Sequence, residues 1–401
     1  MNPGDRMQCP YLKKCGACSY IGEPYEDTLR KKEEQVRRFL KPYVIPDGIV
    51  GMDDPYHYRN KVHRVCTYEK AGRREFHKAG IYAEGTHKVI PVDSCLIEDG
   101  RADAIIRDLL LLAREFKIRH YNEDTGTGLL RHILIRTAHA TGEILVVLVL
   151  SNPELPGKKH FIRKLTEKHP EITSVVINVN ARPTNMILGE RERAAYGPGF
   201  IEDILCGKKF RISPRSFYQV NPVQTEKLYR QAIEYASLTG KETVIDAYCG
   251  IGTIGIAAAD HARMVVGIEL GREAVRDAIF NAKRNEVKNI SFVAQDAARY
   301  MMKLADAKQR ADVVFMDPPR SGSTVEFMQA AAAMSPTRIV YVSCNPETLA
   351  RDLKWFTAHG YRAVRARIFD QFAWTGHVET VVLMTRNIFS FGKDAENKVG
   401  F

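Results

Sequence analysis

The sequence predicts an α/β protein in which a Rossmann-like sheet follows a β-rich α+β domain. Strand-type and helix-type segments alternate after Ser213, which is typical of a parallel sheet with helices on both faces. Residues 56–212 carry mostly strand patterns, and three of the eight cysteines lie within the first 20 residues. We therefore expect a cysteine segment at 1–24, a central domain at 25–212 and a Rossmann-like domain at 213–401.

The composition is that of an ordinary globular protein with a basic excess. The 401 residues include 59 Lys and Arg against 48 Asp and Glu, a net charge of +11. This excess favours a polyanionic partner, most often nucleic acid, although it would also serve solubility alone. No apolar run reaches the roughly 18 residues that span a membrane, and the N-terminus lacks a signal-peptide core. We expect a cytoplasmic protein with no membrane association and no obligate protein partner.

The N-terminal segment carries a cysteine cluster. Cys9, Cys15 and Cys18 lie close together, and Cys95 offers a fourth thiol. Thiolates at this spacing suit a zinc ion or an iron–sulfur cluster, and the spacing does not choose between them. Disulfides are not expected in the cytoplasm.

The elements of the central domain are predicted from periodicity and turns. Residues 25–40 have the pattern of a charged amphipathic helix. Residues 131–136 and 144–149 flank a Gly-containing turn, which predicts a β-hairpin. Two further helices are expected over 99–116 and 158–168.

The Rossmann-like domain is predicted from short apolar runs with helical patterns between them. The strands are expected at 243–246, 264–269, 290–293, 313–316 and 339–342, and a last strand at 378–385 is expected to close the sheet.

The first strand of this sheet runs into a Gly-rich turn. Gly250, Gly252 and Gly255 have the G-x-G-x-x-G spacing of dinucleotide-binding proteins, so a dehydrogenase has to be considered. Glu269 ends the second strand, where a carboxylate can bind the ribose hydroxyls of a dinucleotide or of S-adenosylmethionine, so this residue does not distinguish the two cofactors. The fourth strand ends in Asp317-Pro318-Pro319-Arg320, which resembles motif IV of nucleic-acid methyltransferases. This motif favours S-adenosylmethionine as the cofactor.

The fifth strand ends in a cysteine. Cys344 is followed by Asn345-Pro346, and residues at the carboxyl ends of strands face the ligand crevice of an open α/β sheet. A thiol at this position is a candidate nucleophile. The alternative is a small buried core residue, because free cysteine is among the most buried residue types.

Three motifs together carry a family resemblance. Asp317-Pro318-Pro319-Arg320, Ser343-Cys344-Asn345-Pro346 and His377-Val378-Glu379-Thr380 resemble those of the RNA (uracil-5-)-methyltransferases, most closely their iron–sulfur 23S rRNA branch. The match is collinear from Cys9 to Glu379. Ala373 stands where relatives often have proline, and we expect no N-terminal β-barrel RNA-binding module of the kind that many relatives carry.

The resemblance implies a cofactor, a metal cluster and a set of site residues. It implies an S-adenosylmethionine-dependent methyltransferase sheet, with Cys344 as the nucleophile and Glu379 as the base. The cofactor residues would be Gln219, Tyr248, Gly250, Thr253, Glu269, Asp296 and Asp317. It also favours a [4Fe-4S] cluster over zinc, with Cys9, Cys15, Cys18 and Cys95 as its ligands.

The expected reaction explains why a thiol and a base are both needed. Carbon 5 of uracil is too weak a nucleophile to take a methyl group directly. A thiolate that adds to carbon 6 makes carbon 5 reactive. After methyl transfer, a base must remove the proton on carbon 5 before the thiolate can leave.

The expected partner is RNA, most specifically 23S rRNA. Arg59, Lys61 and Arg131 lie in segments that resemble substrate-facing parts of the family, and a solvated charged face is their alternative role. A transfer RNA 5-methyluridine enzyme would use the same catalytic residues. A 5-methylcytidine enzyme would be expected to have a second cysteine in the Asp317 motif, and a noncatalytic RNA-binding protein would not need Cys344 and Glu379.

Overall fold

The structure is a computed structural model, and it describes residues 9–71, 74–83, 85–184 and 186–387. Parts of the predicted end domains, residues 1–8 and 388–401, lie outside this range. The α-helices of the described part are α1 (Leu12–Cys15), α2 (Tyr25–Leu40), α3 (Gly100–Glu115), α4 (Lys158–Lys168), α5 (Pro222–Ala236), α6 (Thr253–Ala258), α7 (Arg272–Arg284), α8 (Ala297–Asp306), α9 (Val325–Ala333) and α10 (Pro346–Ala358).

The eight strands that were expected from the sequence are present to within a few residues at their ends, and the described part of the chain contains others that were not individually predicted. The strands of this part are β1 (Ile49–Val50), β2 (Lys61–Ala71), β3 (Arg74–Tyr82), β4 (Val89–Pro91), β5 (Leu130–Thr137), β6 (Ile144–Leu150), β7 (Ile172–Val179), β8 (Arg191–Tyr196), β9 (Ile201–Leu205), β10 (Lys208–Ile212), β11 (Thr243–Ala247), β12 (Met264–Glu269), β13 (Ile290–Ala294), β14 (Val313–Met316), β15 (Arg338–Ser343), β16 (Tyr361–Phe369) and β17 (Glu379–Arg386).

The central domain is built on a mixed sheet with the strand order β4-β3-β2-β5-β6-β7-β8. The predicted hairpin is confirmed, since β5 and β6 pair antiparallel. One face of the sheet packs on α3 and α4, around Ile105 and Phe161. The other face contributes Leu134 and Val147 to a core that it shares with the following domain. The central sheet is therefore covered on both faces, and its second face fixes its position against the sheet of the Rossmann-like domain.

The sheet of the Rossmann-like domain, here called the catalytic sheet, has the strand order β1-β16-β17-β15-β14-β11-β12-β13. Its strands β11 to β15 are parallel, and β17 is inserted antiparallel between β15 and β16. The predicted closing strand is thus confirmed. Because the carboxyl ends of β11, β12, β14 and β15 lie at one edge, the motifs that follow them meet there.

Two segments that were expected in the central domain pack on the catalytic sheet instead. Val36 and Leu40 of α2 join the core beneath that sheet, and β1 pairs with β16. The β9–β10 hairpin contributes Ile201 and Phe210 to the opposite face. Sequence periodicity gives the form of these segments but not their packing partner, so the predicted boundaries at residues 25 and 213 do not coincide with the packing.

No helix in the described part of the chain is long and apolar enough to cross a membrane.

Candidate active site

The motifs that end the parallel strands surround a cavity of about 440 Å³, here called the catalytic cavity. It lies at the carboxyl ends of β11, β12, β14 and β15, where the topology of the sheet predicts a ligand. Its lining is Phe217, Gln219, Tyr229, Asp246, Tyr248, Cys249, Gly250, Ile251, Thr253, Ile254, Glu269, Asp317, Pro318, Pro319, Arg320, Cys344, Phe372 and Glu379. The predicted nucleophile, the predicted base and six of the seven predicted cofactor residues therefore line one cavity.

The Gly-rich turn after β11 is shaped by close backbone contacts. The Gly255 amide donates to Asp246 Oδ2 at 2.8 Å, and a Cβ at Gly255 would lie 2.8 Å from the same oxygen. Tyr248 has a φ of 62° and Gly250 a φ of 54°, so the chain turns through the left-handed region twice in three residues. A Cβ at Gly250 would meet no atom of the described residues within 4 Å. A ligand can therefore approach the Gly250 backbone closely.

Glu269 holds the turn from the neighbouring strand. Its Oε2 accepts a hydrogen bond from the Gly250 amide at 3.2 Å, and its Oε1 accepts one from the Gly271 amide at 2.7 Å. Each carboxylate oxygen can accept a second hydrogen bond. Glu269 can therefore bind two hydroxyl groups of a ligand without giving up the turn.

Asp296 is the one predicted cofactor residue that does not line the catalytic cavity. Its exposed side chain caps α8 and accepts a hydrogen bond from the Arg299 amide at 3.0 Å. Burial, followed by the charge of Asp296, raises the pKa of Tyr248 to about 12, which indicates that Asp296 lies near this lining residue. The role of Asp296 toward a cofactor stays a prediction.

Cys344 lies between β15 and α10, with its side chain half-buried. The Asn345 side chain caps α10 by accepting from the Glu347 amide at 3.1 Å, and its Nδ2 donates to the Arg320 carbonyl at 3.2 Å. This cap joins the Cys344 motif to the Asp317 motif. Burial, followed by the charges of Glu379 and Asp317, raises the pKa of the Cys344 thiol to about 11. The thiol is therefore protonated at neutral pH.

Glu379 and Asp317 form a coupled pair of carboxyl groups. Burial and the neighbouring Asp317 hold the pKa of Glu379 well above its usual range, and burial raises the pKa of Asp317 to about 7. Glu379 is only 4% exposed, and its Oε2 has no hydrogen-bond partner among the residues that the structure describes. A buried oxygen without a partner is costly, so this atom is available to a group that enters the cavity.

The loop between β16 and β17, residues 370–378, is held by the N-terminal part of the chain. Lys32 Nζ donates to Asp370 Oδ1 at 2.5 Å and to the Phe372 carbonyl at 2.9 Å. Trp374 is buried, and its Nε1 donates to the Pro55 carbonyl at 2.9 Å. These contacts fix the loop that carries Phe372 and leads directly into Glu379.

Sequence reasoning missed several lining residues. Phe217 and Phe372 were not assigned a role, and neither were Tyr229, Asp246 and Arg320. Phe217 is 69% exposed, which is unusual for a large apolar side chain and marks the mouth of the cavity. Arg320 could have been assigned from its place in the Asp317 motif, whereas the two phenylalanines carry no sequence signal.

The four predicted ligand cysteines line a second cavity of about 670 Å³, here called the thiol cavity. Burial and then the charges of Cys95, Cys15 and Cys9 raise the pKa of Cys18 to about 12. These influences indicate that Cys18 lies close to the other three thiols. Among the described residues, however, no group of three or more His, Cys, Asp or Glu side chains that could hold a metal ion is found. The thiols therefore share a cavity without converging on one point.

The three predicted RNA contacts differ in their surroundings. Arg59 and Lys61 line the thiol cavity and are half-buried. Arg131 is only 1% exposed, and its guanidinium donates to the Glu123 carboxylate and to the carbonyls of Asn180 and Arg182. The predicted RNA contact of Arg131 is inconsistent with this burial. Its side chain holds a loop of the central domain instead.

Comparison with known proteins gives a consistent result. Residues 205–387 match the sequence profile of a family described as tRNA (Uracil-5-)-methyltransferase. An uncharacterized RNA methyltransferase of Caldanaerobacter subterraneus is 43% identical over 382 residues, which are 94% of this chain and 84% of that protein. One of Halalkalibacterium halodurans is 42% identical over 387 residues, 95% of this chain and 84% of that protein.

A solved structure resembles the whole arrangement. The crystal structure of Pyrococcus abyssi tRNA (uracil-54, C5)-methyltransferase in complex with S-adenosyl-L-homocysteine has a TM-score of 0.77 to this chain. The two are 26% identical, and the similarity covers 92% of this chain and 85% of that one. The likeness therefore includes the central domain as well as the catalytic sheet.

Proposed function

This chain belongs to the RNA (uracil-5-)-methyltransferase family and is an S-adenosylmethionine-dependent RNA uracil-5 methyltransferase, and we propose that it methylates carbon 5 of a specific uridine in 23S rRNA. The observation that carries the reaction is the meeting of Cys344, Glu379 and Asp317 in one buried cavity. A thiol and a carboxyl group beside one another are the two groups that this chemistry needs.

Cys344 is the nucleophile. Its thiol gives its proton to water as the sulfur bonds to carbon 6 of the uracil, and the electron pair of the carbon 5–carbon 6 double bond moves toward carbon 5 and the ring carbonyl. Burial beside two carboxyl groups opposes thiolate formation. Arg320 acts in the other direction, because its charge lowers the pKa of Cys344.

Glu379 is the base that ends the reaction. After carbon 5 is methylated, Glu379 takes the proton that remains on that carbon, the double bond re-forms and the Cys344 sulfur leaves. The unpartnered Oε2 is the atom for this step. Burial and the neighbouring Asp317 make Glu379 a stronger proton acceptor, since two carboxyl groups in one cavity cannot both be ionised without cost.

S-adenosylmethionine would be held by Gln219, Tyr248, Gly250, Thr253 and Glu269. The open space beside the Gly250 backbone and the remaining acceptor sites of the Glu269 carboxylate fit this cofactor. When bound, this cofactor supplies the methyl group, and its sulfonium charge favours ionised carboxyl and thiol groups beside it. A nicotinamide cofactor is disfavoured because a nucleophilic cysteine and a coupled carboxyl pair have no use in hydride transfer.

The choice of 23S rRNA rests on the resemblance to the iron–sulfur branch of the family. Transfer RNA is the second candidate, because the similar protein from Pyrococcus abyssi is a tRNA (uracil-54, C5)-methyltransferase. The test is methyl transfer from labelled S-adenosylmethionine to purified 23S rRNA and to total transfer RNA that both lack 5-methyluridine. Label in 5-methyluridine of 23S rRNA alone is expected, and label in transfer RNA alone would overturn the choice.

The thiol cavity holds a [4Fe-4S] cluster in this proposal. In such a cluster each of four thiolates binds a different iron, so the ligands surround a space and need not converge on one point. Cys9, Cys15, Cys18 and Cys95 around one cavity fit this requirement better than that of a zinc ion, whose ligands lie about 2.3 Å from a single centre. The cluster would join the N-terminal segment to the central domain and takes no part in methyl transfer.

A further inference from the structure

The thiol cavity is larger and more cationic than four thiol ligands require. At about 670 Å³ it exceeds the catalytic cavity, and it has room for a ligand of nucleotide size besides the thiols. Phe217 and Phe372 belong to the lining of both cavities. The two cavities are therefore neighbours that share an aromatic wall, and a chain entering one can continue into the other.

Two cations in this wall lack an anion. Among the described residues, the Lys61 Nζ has no carboxylate or hydrogen-bond partner, and the only Arg59 side-chain hydrogen bond runs from its Nε to the Lys61 carbonyl at 3.2 Å. The one acidic side chain in the described lining is Glu98, and its carboxylate accepts a hydrogen bond from the Arg64 guanidinium at 3.0 Å. Half-buried cations without partners are costly, and they are a common feature of sites for anionic ligands.

Lys61 lies at the end of the cavity nearest the catalytic domain. It pairs in register with Arg136 on β5, and the Arg136 guanidinium donates to the Ser216 carbonyl, the residue before Phe217. Burial, Arg136 and Arg59 lower the pKa of Lys61 to about 8. Cys9, Cys18 and Cys95 pack near Ile97 and Trp374. Lys61 is therefore connected through Arg136 to the segment that carries Phe217.

The remaining groups at this end suit a nucleobase. Phe217 and Phe372 offer aromatic faces beside Tyr58, and bases stack on such rings with little regard to sequence. His63 lines the same cavity, and its Nε2 has no hydrogen-bond partner in the described part of the chain. Since its pKa is lowered to about 4, chiefly by burial, the ring is neutral and can donate to or accept from a base edge.

We propose that this end of the thiol cavity is a second nucleotide subsite, which takes the nucleotide next to the target uridine, with its phosphate at Lys61 and Arg59 and its base against Phe217 and Phe372. The proposal rests on the proposed function. It follows from continuity of the RNA chain, because the nucleotide joined to a uridine at Cys344 has to lie in the neighbouring space. The subsite would give the enzyme a means to select the sequence beside its target.

The test is a double-mutant cycle between Lys61 and single phosphates of the RNA. A hairpin that the wild-type enzyme methylates is prepared with one neutral methylphosphonate on the 5′ or the 3′ side of the target uridine. Its Kd is measured by fluorescence anisotropy for the wild type and for Lys61→Met. Lys61→Met should bind the unmodified hairpin roughly tenfold more weakly, as expected for a charge-assisted contact.

The expected coupling is specific. With one of the two methylphosphonate hairpins, Lys61→Met and the wild type should bind with the same Kd. With the unmodified hairpin, the slope of log affinity against log salt concentration should be smaller for Lys61→Met by about one phosphate contact. Removing the neighbouring base to leave an abasic site should weaken wild-type binding by at least about fivefold. The exposed Lys159 on α4 provides the matched control, and Lys159→Met should show neither effect.

Three results would overturn the subsite. Additive effects of Lys61→Met and both methylphosphonates would mean that Lys61 contacts neither phosphate. Unchanged RNA affinity with a loss of iron and sulfide from Lys61→Met would mean that the cations balance a metal cluster. A Lys61→Arg variant that fails to restore affinity would point to packing and not charge. A wild-type enzyme that methylates no RNA would instead remove the proposed function.

Discussion

Lys32 and Asp370 form an ion pair in which both side chains are fully buried, with 2.5 Å between Lys32 Nζ and Asp370 Oδ1. The Tyr25 hydroxyl donates to the second oxygen of Asp370 at 2.6 Å. Lys32 and Tyr25 lie on α2, whereas Asp370 begins the loop that leads into Glu379. Helix α2 therefore positions the loop that borders both cavities.

Replacement of Lys32 should destabilise the protein strongly. Lys32→Met keeps most of the side-chain volume but leaves the buried Asp370 carboxylate without its cation, and breaking such a pair costs roughly 3–5 kcal/mol. Urea denaturation with a fluorescence readout measures this free energy of unfolding. The double variant Lys32→Met/Asp370→Asn should regain part of the loss, because no buried charge then remains. The exposed Lys354→Met on α10 is the control, and equal stabilities of all four proteins would contradict the role of the pair.

Cys344 and Glu379 should fail at different steps. Cys344→Ala should give neither methylation nor a covalent RNA adduct, because no sulfur reaches carbon 6. Glu379→Gln should still allow addition and methyl transfer, but the carbon 5 proton cannot leave, so methylated RNA stays bonded to Cys344. A denaturing gel of each variant with RNA and S-adenosylmethionine measures this, and Glu379→Gln should show a slower RNA-linked band.

The wild type itself supplies the control for this adduct. RNA with 5-fluorouridine at the target should trap it, because fluorine cannot be removed as a proton. Full turnover by Glu379→Gln, or an adduct with Cys344→Ala, would show that the two roles are wrongly assigned.

Glu269 should determine cofactor affinity. Glu269→Ala removes the acceptors for the ribose hydroxyls, a loss of roughly 1.5–3 kcal/mol for hydrogen bonds to a charged group. Isothermal titration with S-adenosylhomocysteine measures the change, and the exposed Glu326→Ala should bind as the wild type does. An unchanged affinity in folded Glu269→Ala would exclude this ribose contact, and tight binding of a nicotinamide dinucleotide would revive the dehydrogenase alternative.

The thiol cavity should give the purified protein a colour. Protein prepared without oxygen should be brown and should bleach in air, with iron and sulfide in equal amounts. Cys→Ser at Cys9, Cys15, Cys18 or Cys95 should reduce iron content and stability more than the rate of methyl transfer, whereas Cys66→Ser should leave the iron in place. Stoichiometric zinc without iron or sulfide would refute the cluster.

Alkylation of Cys344 should report its raised pKa. Iodoacetamide reacts with the thiolate, so the rate should rise about tenfold for each pH unit below the pKa of about 11. Since Glu379 and Asp317 raise that pKa, Asp317→Asn should speed alkylation at neutral pH, whereas the exposed Asp306→Asn should not. Peptide mass spectrometry assigns the label to Cys344. A rate that is already at its plateau at neutral pH would contradict the protonated thiol.

The sequence determined the five parallel strands and the last strand of the catalytic sheet and the residues at their ends, whereas β1 and β16 were not predicted. Period and length give strands and helices without knowledge of their neighbours, and a parallel sheet brings the carboxyl ends of its strands to one edge. This is why Glu269, Asp317 and Cys344 can be assigned to one cavity from the order of the strands and the motifs that follow them. The family resemblance likewise joined Cys95 to the N-terminal cysteines, and the four thiols line one cavity.

Only the tertiary structure decided which charged and aromatic residues face inward. Lys32 lies in a helix that reads as charged and amphipathic, yet its side chain is fully buried against a loop about 340 residues away in the chain. Arg131 looked like a surface contact, but a carboxylate and two carbonyls bind it inside the central domain. Phe217 and Phe372 have no pattern of their own and become a shared wall only when the two domains pack. Local periodicity cannot reveal such positions, because burial there depends on partners that are distant in sequence.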